Sequence, residues 1–481
     1  MKNIFIYFLS FLFITPLLAQ STSPINSLIQ QVENNLLPQF IIEGESPVIY
    51  NIEDRMKYYN VPGVSICMVK DGKIQWSKSY GYADKESGRK VVLETLFQAA
   101  SISKPVAATA ALQLVEKGKL KLDEDVNKYL KSWQVPENEF TTKEKVTLRR
   151  LVTHTAGLTV HGFRGYAQGE EVPTAVQVLN GSKPANSAAI LPNVVPGTIW
   201  RYSGGGYTVM QQMLEDVTKK SFAQILQQSV LKKAGMSHST YEQPLPAEYH
   251  AVASHGYRGD GTKVAGNWHT YPEQAAAGLW TTPMDLANFI ISIQQSLQGK
   301  SKLLSKKMTE QMLTKHLNNM GLGPALNGEG DSLIFSHNGA NEGFRCQMLG
   351  FARLGSGLVI MTNSDNGMGL IQEITRSVSN VYNWNTYKPR VKKKFPMDAA
   401  ALEKFKGSYE TSEGDKVTFE PSQQLLMATQ SWDGMQLKFY PESENTFFCM
   451  ENGYTVVFNV NNNEVESLTV NNNLTLKRMK E

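Results

Sequence analysis

The sequence predicts an α/β protein followed by a small all-β barrel or sandwich domain. Three observations carry that expectation. Strand-like segments lie near both ends of residues 49–385 with helical patterns between them, so the sheet must be closed by segments far apart in the chain. A stretch containing prolines and lysines, residues 384–399, then interrupts the pattern. Beyond it, residues 400–481 read as short strands separated by Asn, Gly and Ser turns.

The elements follow in order. Residues 1–19 have the layout of a secretory signal peptide: Lys2, an apolar run from Ile4 to Leu18, and Ala19 before the polar Gln20-Ser21-Thr22-Ser23. The run is short of the ~20 residues a spanning helix needs, and Pro16 breaks it. The expectation is export to the periplasm or the extracellular space, with no stable membrane span after cleavage. No Cys lies near the cut, which excludes a lipid-modified Cys at the mature terminus. Residues 20–48 read as a helical lead-in that need not pack tightly. Residues 64–70 and 73–80 form a predicted hairpin, because Asp71-Gly72 suits a tight two-residue turn.

A helix is expected over residues 103–118, with Val106, Ala110, Leu112 and Leu114 as apolar positions and Gly118 at its end. Residues 145–295 read as helical and loop-rich, with helices near 207–218, 222–233 and 283–295. A second hairpin, 344–352 with 357–363, precedes a helix at about 370–382. Residues 386–399 are the expected linker, and its Lys392-Lys393-Lys394 run is expected to be solvated. In the trailing domain the predicted strands include 416–420, 436–440, 454–460 and 466–470. Asn461-Asn462-Asn463 and Asn471-Asn472-Asn473 mark turns between strands.

Composition excludes several function classes. Lys and Arg number 48 against 44 Asp and Glu, and the net charge of +4 is not concentrated in a basic block, which argues against a nucleic-acid partner. A hydrophobic share of 41% with 19% charged residues supports buried cores over disorder. Three cysteines, Cys67, Cys346 and Cys449, leave at least one thiol unpaired in an exported chain. Each lies in an apolar, strand-like segment and reads as a small buried hydrophobe; spacing does not support a Cys67–Cys346 disulfide. No Cys or His cluster has zinc-site spacing, and His-Glu-x-x-His is absent.

The chemistry centres on Ser101 and Lys104. A bare Ser-x-x-Lys is common: Ser87–Lys90 and Ser229–Lys232 have it too. Ser101 differs in standing at the mouth of a predicted helix, where free N–H groups favour developing negative charge. Lys104, one helical turn on, brings its amine to the same face and can act as base. Tyr202 precedes Gly204-Gly205-Gly206 on a loop leading into a helix, and its phenol can relay protons. The run Phe335-Ser-His-Asn-Gly-Ala340 precedes the second hairpin. Gly339 would let a substrate lie alongside the strand, the Ala340 N–H would join that of Ser101 as an oxyanion hole, and His337 would donate to the substrate.

These three elements, in this order, resemble the S-x-x-K, Y-x-N and K-T-G set of penicillin-binding proteins and serine β-lactamases. Val61-Pro-Gly-Val-Ser, Thr147-Leu-Arg-Arg-Leu-Val-Thr-His-Thr-Ala-Gly-Leu158 and Ala277-Gly-Leu-Trp-Thr-Thr-Pro-Met-Asp-Leu286 resemble the branch with class C β-lactamases, D-Ala-D-Ala carboxypeptidases, D-aminopeptidases and esterases. The likeness covers about residues 50 to 385. It implies an antiparallel sheet flanked by helices plus a helical subdomain. The trailing domain resembles the lipocalin-like modules of some exported members. Two positions depart from the pattern. Gly204 stands where the family has Asn, and His337 where it has a Lys that would bind a substrate carboxylate; Arg345 would compensate if it points into the cleft. His154 and Asp285 read as structural.

The resemblance implies a serine hydrolase that forms an acyl-enzyme on an amide or ester. The expected partner is a small-molecule or peptide substrate, a D-alanyl cell-wall peptide or a small ester. A β-lactamase and a penicillin or peptidoglycan sensor that does not turn over are the alternatives. The mechanism requires no metal or organic cofactor.

Overall fold

A computed structural model describes residues 24–450 and 452–479; the expected signal peptide lies outside the described residues. The N-terminal hairpin, Gly63–Lys70 with Lys73–Asp84, turns at Asp71 and Gly72, both at positive φ as a two-residue turn of this hand requires. Its first strand pairs antiparallel with Gly357–Thr362, which pairs in turn with Phe344–Phe351. Ile334–Asn341 and Ala325–Asn327 complete one edge and Arg89–Lys90 the other, giving a seven-stranded sheet built from both ends of the first 385 residues.

Both faces of this sheet are covered, and strand periodicity sorts the side chains between them. Cys67, Val69, Val359 and Met361 face a front core shared with the helices Ser103–Glu116 and Pro283–Leu297. Val64, Ile66, Met68, Leu358 and Ile360 face a back core with Ile371, Ile374 and Val378 of the helix Gly367–Val381. Burial on both sides explains why these strands read as continuous apolar runs. The predicted helix at 222–233 is Phe222–Leu226, a five-residue π turn Gln227–Leu231, and Lys232–Ala234.

Two expectations are corrected. The lead-in packs tightly: the helix Pro24–Asn34 lays Ile29 and Val32 on the back core, and Leu36 beyond it is wholly buried there. The back of the sheet needs an apolar lid, and this three- and four-residue spacing supplies one. The lysine run of the linker is not simply solvated. Arg390–Lys392 forms a parallel pair with Phe40–Ile42 of the lead-in, while Lys392 pairs with Glu442 and Lys394 with Glu45 at 2.7 Å.

The last described residues form a closed antiparallel barrel of eight strands, running from Gly407–Glu410 to Leu474–Arg478, with the first and last strands paired. Asn462-Asn463 and Asn471-Asn472 take positive φ in its tight turns. Tyr409, Phe419, Phe439, Phe447 and Phe458 fill the interior, with Phe405 packed against them. The barrel is therefore a packed core and not a ligand cup. All three cysteines are buried free thiols. Among the described residues, no helix is long and apolar enough to cross a membrane.

Candidate active site

Ser101 sits in a 3₁₀ turn, Ala100–Ile102, that runs directly into the helix Ser103–Glu116. The turn is held from several sides. Phe97–Gln98 before it pairs with Trp280–Thr281, and Ser103 Oγ donates to Ala100 O at 2.5 Å while accepting from Leu279 N at 3.0 Å. Ala100 has φ +49°, a left-handed conformation that a residue with a Cβ adopts only when its surroundings impose it. The strained residue is thus the one immediately before the candidate nucleophile.

Lys104 is 2% exposed, and its Nζ donates to Ser101 Oγ at 2.9 Å and to Ala276 O at 2.7 Å. Both partners are neutral. The rings of Tyr202 and Tyr207 stand 5.0 and 5.7 Å from the same nitrogen. A serine hydroxyl hydrogen-bonded to a buried amine is the pairing that nucleophilic catalysis requires. The other two matches lack it: Ser87 bonds Asp84 and Ser229 bonds the backbone of Ile225.

Tyr202 lines the same cavity, of about 420 Å³, as Ser101, Lys104, His337 and Ala340. Its ring lies on that of His154, with centroids 4.3 Å apart. His154 accepts from Ser203 N through Nδ1 at 3.1 Å, and burial followed by the charge of Lys104 holds it well below the usual imidazole range. It is a neutral prop beneath the tyrosine. Asp285 accepts from His238 N and Ser239 Oγ away from this cavity.

Gly204 is not simply a lost side chain. Its N–H donates to His161 O at 2.9 Å, and a Cβ there would lie 3.0 Å from Phe163 Cε2 and 3.1 Å from His161 O. The loop carrying His161 and Phe163 therefore occupies the space that an asparagine would need. Neither residue was legible as a site residue, because a loop at this position carries no sequence pattern of its own.

Three expectations about the strands Ile334–Asn341 and Phe344–Phe351 are revised. A Cβ at Gly339 would meet Ala99 O and Cys346 Sγ, each at 2.3 Å, so the glycine is demanded by the nucleophile turn packed against it rather than by a substrate. His337 Nδ1 lies 2.6 Å from Asn338 O; a carbonyl only accepts, so this nitrogen carries the proton. Burial and then the charge of Lys104 push the ring down to about pKa 4, so it is neutral near pH 7. Its Nε2 is then an acceptor, not the expected donor. Arg345 does not enter the Ser101 cavity: its Nη1 bonds Asn341 O, Phe344 O and, at 3.0 Å, Asp365. Ala276 and Asn341 were missed. Asn341 ties the strand to Gln98 and Ala277 O, beside the Ala276 carbonyl that holds Lys104.

A family model described as Beta-lactamase matches residues 48–380. The chain belongs to the β-lactamase family. Among its relatives, this family member is 24% identical to penicillin-binding protein 4* of Bacillus subtilis, over 84% of its own length and 91% of the relative's. It is also 24% identical to protein flp of Staphylococcus aureus, over 70% of its length but only 66% of that protein's, just under two thirds. The octameric penicillin-binding protein homologue of Pyrococcus abyssi shares the fold with a TM-score of 0.61 at 21% identity, covering 88% of this chain and 98% of that one. SurE does so with a TM-score of 0.55 at 18% identity, covering 89% and 97%.

Outside the cleft, Asp84, Glu86 and His255 bring ligand atoms within 4.8 Å of one another. Ser87 and Tyr257 hydroxyls already bond the two carboxylates, and Lys263 stands 3.7 Å from Glu86.

Proposed function

We propose that this protein is an exported serine hydrolase that works through an acyl-enzyme on Ser101, with a D-alanyl peptide or small ester as substrate. The observation that carries the reading is the 2.9 Å contact between Lys104 Nζ and Ser101 Oγ in a buried position. Ser101 Oγ attacks the carbonyl carbon and its proton passes to Lys104, with Tyr202 sharing the transfer to the leaving group. The backbone N–H groups of Ser101 and Ala340 receive the developing oxyanion. The leaving group departs with that proton, and water later releases the acyl group from Ser101. The Lys2-led apolar run ending at Ala19 supports export.

The choice of substrate rests on the two departures. Neutral His337 supplies no cation for the carboxylate of a penicillin or of a terminal D-alanine, and the loop at Phe163 fills the place of the family's asparagine amide. Both favour a small ester, or a D-alanyl peptide bound without that carboxylate contact, over a β-lactam. The test is intact-mass measurement after treating the protein with a fluorophosphonate and, separately, with benzylpenicillin. Wild type should gain one fluorophosphonate adduct and Ser101→Ala none; equal labelling of the two, or no label on wild type, overturns the reading. A penicillin adduct that persists would favour a sensor, and one that forms and is lost rapidly a β-lactamase.

A further inference from the structure

The head of the helix Gly204–Thr218 seats a loop against the Ser101 cavity. N–H groups in the first turn of a helix have no acceptor inside it, and here consecutive loop carbonyls accept two of them. Gly204 N donates to His161 O at 2.9 Å and Gly205 N to Val160 O at 3.1 Å, while the Ser203 hydroxyl donates to Thr159 O at 2.8 Å. A Cβ at Gly204 would lie 3.1 Å from His161 O, and one at Gly205 would lie 2.9 Å from Thr159 O. This register of loop on helix therefore needs both glycines. Val160 has φ +63°, a left-handed conformation that is costly for a β-branched side chain. As with Ala100 before Ser101, the strained residue immediately precedes one that lines the cavity.

That residue is His161. Its ring lies 4.9 Å from the ring of Tyr202, centroid to centroid, and borders the same cavity as Ser101. It is exposed, and its nitrogens make no hydrogen bond among the described residues, so water can reach them. Four titratable side chains line this cavity: Lys104, His161, Tyr202 and His337. Lys104 and Tyr202 carry the protons of the first half-reaction. Burial and the charge of Lys104 hold His337 down to about pKa 4, which makes it a poor proton acceptor near neutrality. His161 is left as the group free to take a proton from water.

We propose that His161 is the base of the second half-reaction, activating the water that releases the acyl group from Ser101. This rests on the hydrolase reading of Ser101. The water oxygen bonds to the acyl carbon as one of its protons passes to His161. The bond from that carbon to Ser101 Oγ then breaks, Oγ takes a proton from Tyr202, and the imidazolium returns one to the phenolate. The glycine that stands in place of the family's asparagine thus seats the loop that delivers the imidazole.

The test separates the two half-reactions on the full chain. Wild type, His161→Ala and His161→Gln are treated with p-nitrophenyl acetate and desalted, and the acetyl adduct is followed by intact mass. Both variants should hold the adduct about a hundredfold longer than wild type, the share a positioned base contributes. Fluorophosphonate labelling, which reports attack by Ser101 in the folded site, should stay within about threefold of wild type. Hydroxylamine, a nucleophile that needs no base, should release the adduct from either variant. An adduct lost at the wild-type rate, a variant that accumulates none, an adduct that resists hydroxylamine, or decay and labelling slowed alike overturns the assignment. If neither reagent marks wild type at Ser101, the hydrolase reading fails and His161 falls with it. Labelled wild type with unaltered decay in the variants refutes His161 alone.

Discussion

The Arg55–Glu373 pair behind the central sheet and Lys104 in front of it bury charge in opposite ways. On the back, the Arg55 guanidinium bonds both carboxylate oxygens of Glu373, at 2.8 and 2.6 Å, and Tyr59 adds a third bond at 2.8 Å. Side-chain exposures are 7% and 0%, and the charges answer each other. On the front, Lys104 is as deeply buried but finds only a serine hydroxyl and a backbone carbonyl. Nearby in the same helical layer, Glu273 is wholly buried and neither carboxylate oxygen has a partner. Burying an ionisable group without a countercharge costs free energy. The Arg55–Glu373 pair removes most of that cost, although Arg376 on the same back helix bonds only Leu37 O and Gln39 Oε1. The front keeps it, where a proton must be able to leave or arrive.

Exchanging the groups tests this contrast. Lys104→Met should lower ester turnover by about a thousandfold or more, because the serine loses its base. Arg55→Met should leave kcat/KM of the folded protein near wild type but lower the unfolding free energy by about 3–5 kcal/mol, since it strands Glu373 as an uncompensated buried charge. Denaturant titration beside a single-substrate assay reads both.

Glu273 makes a pH-dependent claim. Burial pushes its carboxyl up to about pKa 8 from an ordinary 4.5. Between those values the folded state holds a proton that the unfolded state has released, so stability falls as pH rises, by about 1.4 kcal/mol per unit crossed. Glu273→Gln should flatten the unfolding free energy between pH 5 and 8; an unchanged slope would refute an unpaired Glu273. His337 predicts the smallest effect, with the opposite sign. Its folded pKa lies below the unfolded one, so its contribution is present above about pH 6.5 and is lost as pH falls through about 4. His337→Asn should reduce the drop in melting temperature over that range.

Much of this was legible because it rests on local chemistry. Asp71-Gly72 announces a hairpin, the apolar run around Ile66 a strand, and Ser101 at the mouth of an apolar helix a candidate nucleophile. The two strand groups at opposite ends of the chain also required a sheet closed at long range. What was not legible depends on packing between distant segments. Val32 and Leu36 looked like a loose lead-in because the surface they cover is made largely by the helix Gly367–Val381, at the far end of the domain. The pattern at Gly339 signals a need for space without naming the neighbour, and the neighbour is Ala99 rather than a ligand. Phe163 closing over Gly204 follows from loop placement that no periodicity encodes.

The contrast between the Arg55–Glu373 pair and Lys104 stands or falls most directly on the unfolding free energy of Lys104→Met. If Lys104 is held for chemistry against a stability cost, an apolar side chain of similar length should leave the protein as stable as wild type or more so. A loss comparable to that of Arg55→Met would contradict the account, because it would make Lys104 a structural partner rather than a base kept in reserve.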